Sequence, residues 1–340
     1  MKFKKKFNIG KKVVGDKNCL IVAEAGVNHF GSLNKAKKLV DISVSAGADI
    51  FKIQHFYNDK LFQKDAIYWK KRMKKKQLSE EKILEIKKYC SQKKILFMCT
   101  AHDEKSLEFL HKKINTIAYK IGSGEIGNYE FIKKIAMKKK PIILSTGMYT
   151  MRQIISTVNL ISRFNNKLCI LHCTTSYPTK PKNINLNFFK YLKKKFKIPI
   201  GYSDHTVGYS IPLAAAALGA CVIEKHISLD FNIKNAQDWK VSLNAKELKN
   251  FVQEVKTINL SMGNGIKNKL SKDEQKSKKW AQKSIVLRKN FKKGEIIKKE
   301  YLEARRPNNS IPIEDLAKII GKKIKKNVYK GEYLKLRDLT

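Results

Sequence analysis

Eight short apolar runs divide the first two thirds of the chain. They are 20–26 (LIVAEAG), 49–56 (DIFKIQHF), 95–101 (ILFMCTA), 116–123 (TIAYKIGS), 141–147 (PIILSTG), 168–174 (LCILHCT), 198–205 (IPIGYSDH) and 220–227 (ACVIEKHI). Near-continuous apolarity over so few residues is the pattern of a strand buried on both faces, as in a parallel sheet. Between the runs lie segments with helical spacing, among them 33–46, 79–92, 129–137 and 245–258, several preceded by a capping residue such as Ser32, Asn128 or Asn244. Strand–helix alternation makes a parallel β/α sheet, and eight strands is the number at which such a sheet closes into a TIM barrel. The rival, a doubly wound open sheet, usually has fewer strands and often a Gly-rich phosphate loop after the first, which this chain lacks. The expected fold is therefore α/β, a (β/α)8 TIM barrel.

Each run is apolar in its body and reactive near its C-terminal end. The residues there are Glu24, Lys52 and Gln54, Thr100, Lys120 and Ser123, Ser145, His172 and Thr174, Asp204 and His205, and Glu224 to His226. A barrel gathers all eight ends on one rim, where active sites sit. One such residue would read as a satisfied core group; eight strands sharing the pattern point to a site.

Past residue 262 the character changes. Residues 263–280 are polar and charged and read as a linker or solvent-exposed helix, so the barrel domain is expected over 1–262. Residues 281–340 repeat a strand–Lys-Gly–strand plan, in SIVLRKNFKKGEIIKKEYLEARRP and KKNVYKGEYLKL, and predict a small β-rich domain. Sixty residues make a marginal core.

The formal net charge of +43 invites a nucleic-acid reading. Only seven of the 72 basic residues are arginine, however, and the lysines run along the whole chain. Sequence-reading surfaces lean on arginine for bidentate contacts, so the lysines read as solvated helix faces and no specific nucleic-acid partner is expected. The longest apolar stretch, 211–223, falls short of the roughly 20 residues a membrane span needs. The basic N-terminus has no apolar segment of the secretory kind. Six scattered cysteines without a CxxC pair read as reduced thiols, hence a cytoplasmic protein with no membrane partner.

The motifs IVAEAGVNHFGSLNKAKKLVD, YKIGSGEI, ILSTGM, LHCTTSYPT, GYSDHTVG and ALGACVIEKHISLD, in that order, resemble the sialic acid synthase family, whose members make nonulosonic acids. Residues 281–340, with FKKGEII and ARRP, resemble its C-terminal SAF (antifreeze-like) domain. The resemblance implies condensation of phosphoenolpyruvate with an N-acetylhexosamine aldehyde, by default N-acetylmannosamine to N-acetylneuraminate, with release of phosphate. It assigns Lys52, Thr100, Lys120, Ser123 and Ser145 to phosphoenolpyruvate, and Glu24 as the catalytic carboxylate. It assigns His205 and His226 as ligands of a divalent metal, Mn²⁺ or Mg²⁺; imidazole favours Mn²⁺ of the two. Gln54, Glu125, Tyr177 and Asp238 match acceptor-sugar positions. Arg306 matches an arginine that reaches the sugar in the partner subunit of a domain-swapped homodimer.

The departures fall on the sugar side. NAQDWK (235–240) stands where PGPD is frequent, keeping only Asp238 and setting Trp239 and Lys240 at the expected pocket mouth. TAHD puts His102 where an aromatic usually packs, VNHFG has Phe30 for Asn, and CTTSYP has Thr175 where Asn is frequent. The alternatives are a legionaminic acid synthase acting on a 2,4-diacetamido-trideoxymannose and, more remotely, a basic carbohydrate- or nucleic-acid-binding protein with an inactive barrel.

Overall fold

The computed structural model describes residues 1–15, 18–234 and 236–340. It opens with an antiparallel hairpin, β1 (Phe7–Ile9) and β2 (Lys12–Val14), which sequence reasoning did not anticipate. Eight parallel strands follow: β3 (Leu20–Gly26), β4 (Ile50–His55), β5 (Leu96–Ala101), β6 (Tyr119–Ile121), β7 (Ile142–Ser145), β8 (Leu168–Cys173), β9 (Ile200–Asp204) and β10 (Val222–His226). They pair in chain order and close, β10 against β3, with His226 opposite Glu24. The TIM barrel expected from the eight apolar runs is the observed fold.

Strand parity sorts the side chains. Residues such as Ile21, Phe51, Ile53, Ile121, Leu144, Ile170 and Ile223 lie in the cluster between barrel and helices. Leu20, Val22, Ile50, Met98, Ala118, Ile143, Leu171 and Val222 form a second cluster with Phe7, Ile9 and Val14 of the hairpin. The hairpin therefore closes the N-terminal end of the barrel with apolar side chains. Burying each fully, as Ile9 and Val14 are, is worth about 1.5–3 kcal/mol. Two residues further along the same strand faces stand Glu24, Lys52, Thr100, Lys120, Ser145, Cys173 and Glu224. A period of two thus carries one face of every strand from apolar floor to polar rim.

Helices cover the barrel, and their ends follow local chemistry. Ser32 accepts from the Lys35 amide to cap Leu33–Ala46, and Asn244 forms a capping box with Glu247 on Ala245–Ser261. Asn128 does not cap Tyr129–Met137; its amide donates to the Glu125 carboxylate at 2.7 Å instead.

The chain divides into two compact units, Met1–Gly263 and Asn264–Thr340. In the second, a helix (Lys272–Ala281) precedes the antiparallel pair β11 (Ser284–Leu287) and β12 (Leu302–Arg305). Isolated bridges such as Phe291 with Val328 and Ile296 with Lys323 extend it into a small β-rich region around Ile285, Leu287, Phe291, Ile319 and Leu334. Both Lys-Gly turns need the left-handed backbone that glycine supplies: φ is 90° at Gly294 and 86° at Gly331. The six cysteines are free and buried.

Candidate active site

The polar rim encloses a cavity of about 310 Å³. On its floor four charges alternate. Lys52 Nζ lies 2.5 Å from Glu24 Oε2 and 3.4 Å from Glu224 Oε2, and Lys120 Nζ lies 3.4 Å from Glu224 Oε1. All four side chains are buried. Buried charges persist only when paired and hydrogen-bonded, and here Gln54 donates to Glu24 (3.2 Å), Lys52 to Thr100 (3.3 Å) and Ser203 to Glu224 (3.3 Å).

The two carboxylates are driven apart. Burial pushes Glu24 above its ordinary 4.5, with Lys52 only partly offsetting it. Burial acts on Glu224 too, but Lys120 and Lys52 together overcome it and hold Glu224 down to about 2. Glu224 is thus a fixed anion between two ammonium groups, while Glu24 can exchange a proton, the separation that acid–base sites use.

Hydroxyls and imidazoles form the walls. Ser123 follows β6, and its Oγ accepts from the Gly147 amide at 2.9 Å. The Ser145 hydroxyl, at the end of β7, is buried with no hydrogen-bond partner among the described residues. The Thr174 carbonyl lies 2.8 Å from His205 Nδ1, which fixes the ring and turns Nε2 toward the Tyr177 hydroxyl, also at 2.8 Å. The His205 and His226 rings are 5.5 Å apart. Burial lowers His226 to about 3, so it is a neutral imidazole; its Nδ1 is buried without a hydrogen-bond partner among the described residues, 3.9 Å from Asp238.

The two imidazoles, His205 and His226, suit a borderline divalent ion. No cluster of three or more His, Cys, Asp or Glu donors joins them among the described residues. An ion held here would keep positions open for the oxygen atoms of a bound molecule, as a catalytic rather than a structural metal does.

Ten of the residues singled out from sequence line this one cavity: Lys52, Gln54, Thr100, Lys120, Ser123, Ser145, Tyr177, His205, His226 and Asp238. Glu24 sits beneath them, bound to Lys52 and Gln54. Glu125 stands beside Ser123, half-buried and tied to Asn128, outside the cavity wall. Arg306 belongs to the second unit, where its guanidinium lies 5.5 Å from the Trp280 ring.

The mouth differs from expectation. Asn235 lies outside the described residues, and Gln237 and Asp238 line the cavity. Trp239 and Lys240 do not. The Trp239 indole donates to the Ile233 carbonyl at 3.0 Å, and Lys240 lies against its ring, so this pair folds onto its own loop. Trp69, Arg72, Met73 and Lys76 occupy the mouth instead, on and just after the helix Ile67–Lys74. Sequence reasoning missed them because a lysine-rich stretch resembles a solvated face. His102 also lines the cavity, pushed down to about 4 by burial and then by Lys52 and Lys120.

The NeuB family model matches residues 39–267, and the SAF domain model matches residues 282–340. The chain is 39% identical to the N,N'-diacetyllegionaminic acid synthase of Campylobacter jejuni, over 94% of this chain and 99% of that protein. It is 32% identical to the human N-acetylneuraminate-9-phosphate synthase, over 93% and 91%. The crystal structure of an N-acetylneuraminic acid synthetase from Leptospira borgpetersenii, in complex with citrate, superposes with a TM-score of 0.75 at 32% identity, over 81% of this chain and 96% of that one.

Proposed function

We propose, from the premise that this chain belongs to the NeuB family of nonulosonic acid synthases, that it condenses phosphoenolpyruvate with an N-acetylhexosamine aldehyde and water to give a nonulosonic acid and phosphate. The observation that carries this reading is the ladder Glu24–Lys52–Glu224–Lys120 on the floor of a cavity with buried hydroxyls on one side and two imidazoles on the other.

Phosphoenolpyruvate brings a carboxylate and a phosphate. Lys52 and Lys120 would meet them with charge-assisted hydrogen bonds, and Thr100, Ser123 and Ser145 with hydroxyls. A ligand anion would also give the buried Ser145 hydroxyl the hydrogen-bond partner it lacks among the described residues. His205 and His226 would hold a divalent ion, Mn²⁺ or Mg²⁺, which when bound polarises the aldehyde as a Lewis acid. Carbon 3 of phosphoenolpyruvate attacks the aldehyde carbon. A carbon–carbon bond forms, the carbonyl electrons pass to oxygen, which takes up a proton, and carbon 2 becomes cationic. Glu24 stabilises that cation and takes a proton from the water that adds there. The carbon–oxygen bond to phosphate then breaks and phosphate leaves.

Gln54, Glu125, Tyr177 and Asp238 are assigned to the sugar, with N-acetylmannosamine as the default acceptor. The resemblance to the Campylobacter enzyme favours a second reading, a 2,4-diacetamido-trideoxymannose acceptor and a legionaminic acid product. In a homodimer of swapped SAF domains, Arg306 would reach the partner's sugar. Mass analysis of products from phosphoenolpyruvate and a panel of hexosamines tests the reading. The expected species has the mass of both substrates plus water less phosphate. Turnover only with arabinose 5-phosphate or erythrose 4-phosphate would overturn it.

A further inference from the structure

Lys225 and Asp204 are fully buried, yet neither lines the cavity. Two residues along from Ile223 and Tyr202, they lie on the face of the barrel that the helices cover. Lys225 Nζ is 2.5 Å from Asp204 Oδ2, and the reaction described above uses neither group. A buried ion pair is weak evidence for stability, because apolar residues of similar volume often serve as well or better. What apolar residues cannot supply is direction.

The directions here converge on His205. Asp204 ends β9, and the last rung of the ladder between β9 and β10 pairs Asp204 with Lys225. His205 follows that rung, whereas His226 is still held in its strand, opposite Glu24. Beyond the ladder the charge pair takes over. Lys225 Nζ donates to the Thr206 carbonyl at 2.7 Å. The Thr206 amide and hydroxyl donate to the Asp204 carboxylate at 3.2 and 2.9 Å. The residues on either side of His205 are thus tied to each other and to the residue before His226. The His205 carbonyl also accepts from the Thr179 amide at 2.7 Å, but that tie runs to the loop after β8 and not to β10.

Resting on the assignment of His205 and His226 to a divalent ion, we propose that Lys225 and Asp204 are positioning residues. With Thr206 they clamp the backbone around His205 to β10 and so fix the spacing of the two imidazoles. The Thr174 carbonyl, 2.8 Å from His205 Nδ1, then has only the rotation of the ring left to set.

The test uses the full chain with Asp204→Leu and Lys225→Met combined, which removes both charges together and keeps the space filled. Affinity for Mn²⁺ is read from the paramagnetic resonance of the free ion. The His205 ring is read by nuclear magnetic resonance of metal-free protein labelled with ¹⁵N-histidine. The double variant should melt close to the natural protein, while its Kd for Mn²⁺ rises about tenfold or more, the usual cost of losing a group behind a metal ligand. The His205 Nδ1 proton, sharp and slow to exchange in the natural protein, should broaden. Thr206→Val keeps the ion pair but removes the hydroxyl. It should raise the Kd about fivefold, the scale of one hydrogen bond, and it decides the matter if the double variant does not fold. Unchanged Mn²⁺ affinity and an unchanged His205 signal in a folded variant would overturn the clamp and leave the metal assignment standing. A natural protein that binds no Mn²⁺, with the His205 signal still lost in the variant, would sink the metal assignment and support the clamp.

Discussion

Glu224 and Glu24 illustrate how far single residues determine this site. Both are buried carboxylates, yet one is held at about 2 and the other is raised, because Glu224 has two lysines and Glu24 chiefly one. Glu224→Gln removes the anion between Lys52 and Lys120 and should destabilise the protein by roughly 3 kcal/mol at pH 7. The folded pKa of Glu224 lies below its ordinary 4.5, so its contribution is present above that pH and lost as pH falls toward 2. Thermal melts of the two proteins should therefore converge below pH 4; a constant gap would contradict the pairing. The metal assignment is tested by chelation, which should abolish turnover until Mn²⁺ or Mg²⁺ is added. His205→Ala should stay inactive with either ion while melting near the natural protein, because an open catalytic site contributes less to folding than a structural one. Strand-end residues of this kind were legible in the sequence because their reactive side chains interrupt apolar runs. Lys76 and Trp69 were not, since whether a residue of a lysine-rich stretch lines a cavity depends on what that stretch folds against. Trp239 was misplaced because nothing in the sequence says that its indole is satisfied by the Ile233 carbonyl.

At the scale of elements, the barrel strands announced themselves through apolar runs and the register through period two, which put Lys52 above Ile50 and Glu224 above Val222. The hairpin did not. FNIGKKVV has strands of only three residues in a basic N-terminus, and its turn at Gly10, with φ 55°, is a weak signal beside so many lysines. Gly147, after β7, shows how an element's end shapes the chemistry. A Cβ there would lie 2.2 Å from Thr175 Oγ1 and 2.9 Å from Ser123 Oγ, the atom that its own amide hydrogen-bonds. Gly147→Ala must therefore displace both hydroxyls. The Michaelis constant for phosphoenolpyruvate should rise about tenfold or more, the scale of losing a hydrogen bond to a charged group. An unchanged constant would remove Ser123 from the phosphoenolpyruvate subsite.

The whole molecule joins a barrel unit to a small β-rich unit, and the second was legible as a change of composition after residue 262. The segment 263–280, read as a linker or exposed helix, holds all but the last residue of the helix Lys272–Ala281, begun by a Ser271–Glu274 capping box. How the two units cooperate is open to a complementation experiment. If the second unit delivers Arg306 to a partner's barrel, Glu24→Ala chains mixed with Arg306→Ala chains should regain activity. Random pairing makes half the dimers mixed, and half the sites in those are whole, so about a quarter of natural activity should return. No recovery, with mixed dimers demonstrated, would contradict delivery in trans. Beneath every such arrangement lies the claim that water adds to carbon 2 of phosphoenolpyruvate under Glu24 and that phosphate leaves with its bridging oxygen. Turnover in ¹⁸O-labelled water measures this most directly. The released phosphate should carry no label, whereas one labelled oxygen per phosphate would mean attack at phosphorus and would contradict the mechanism.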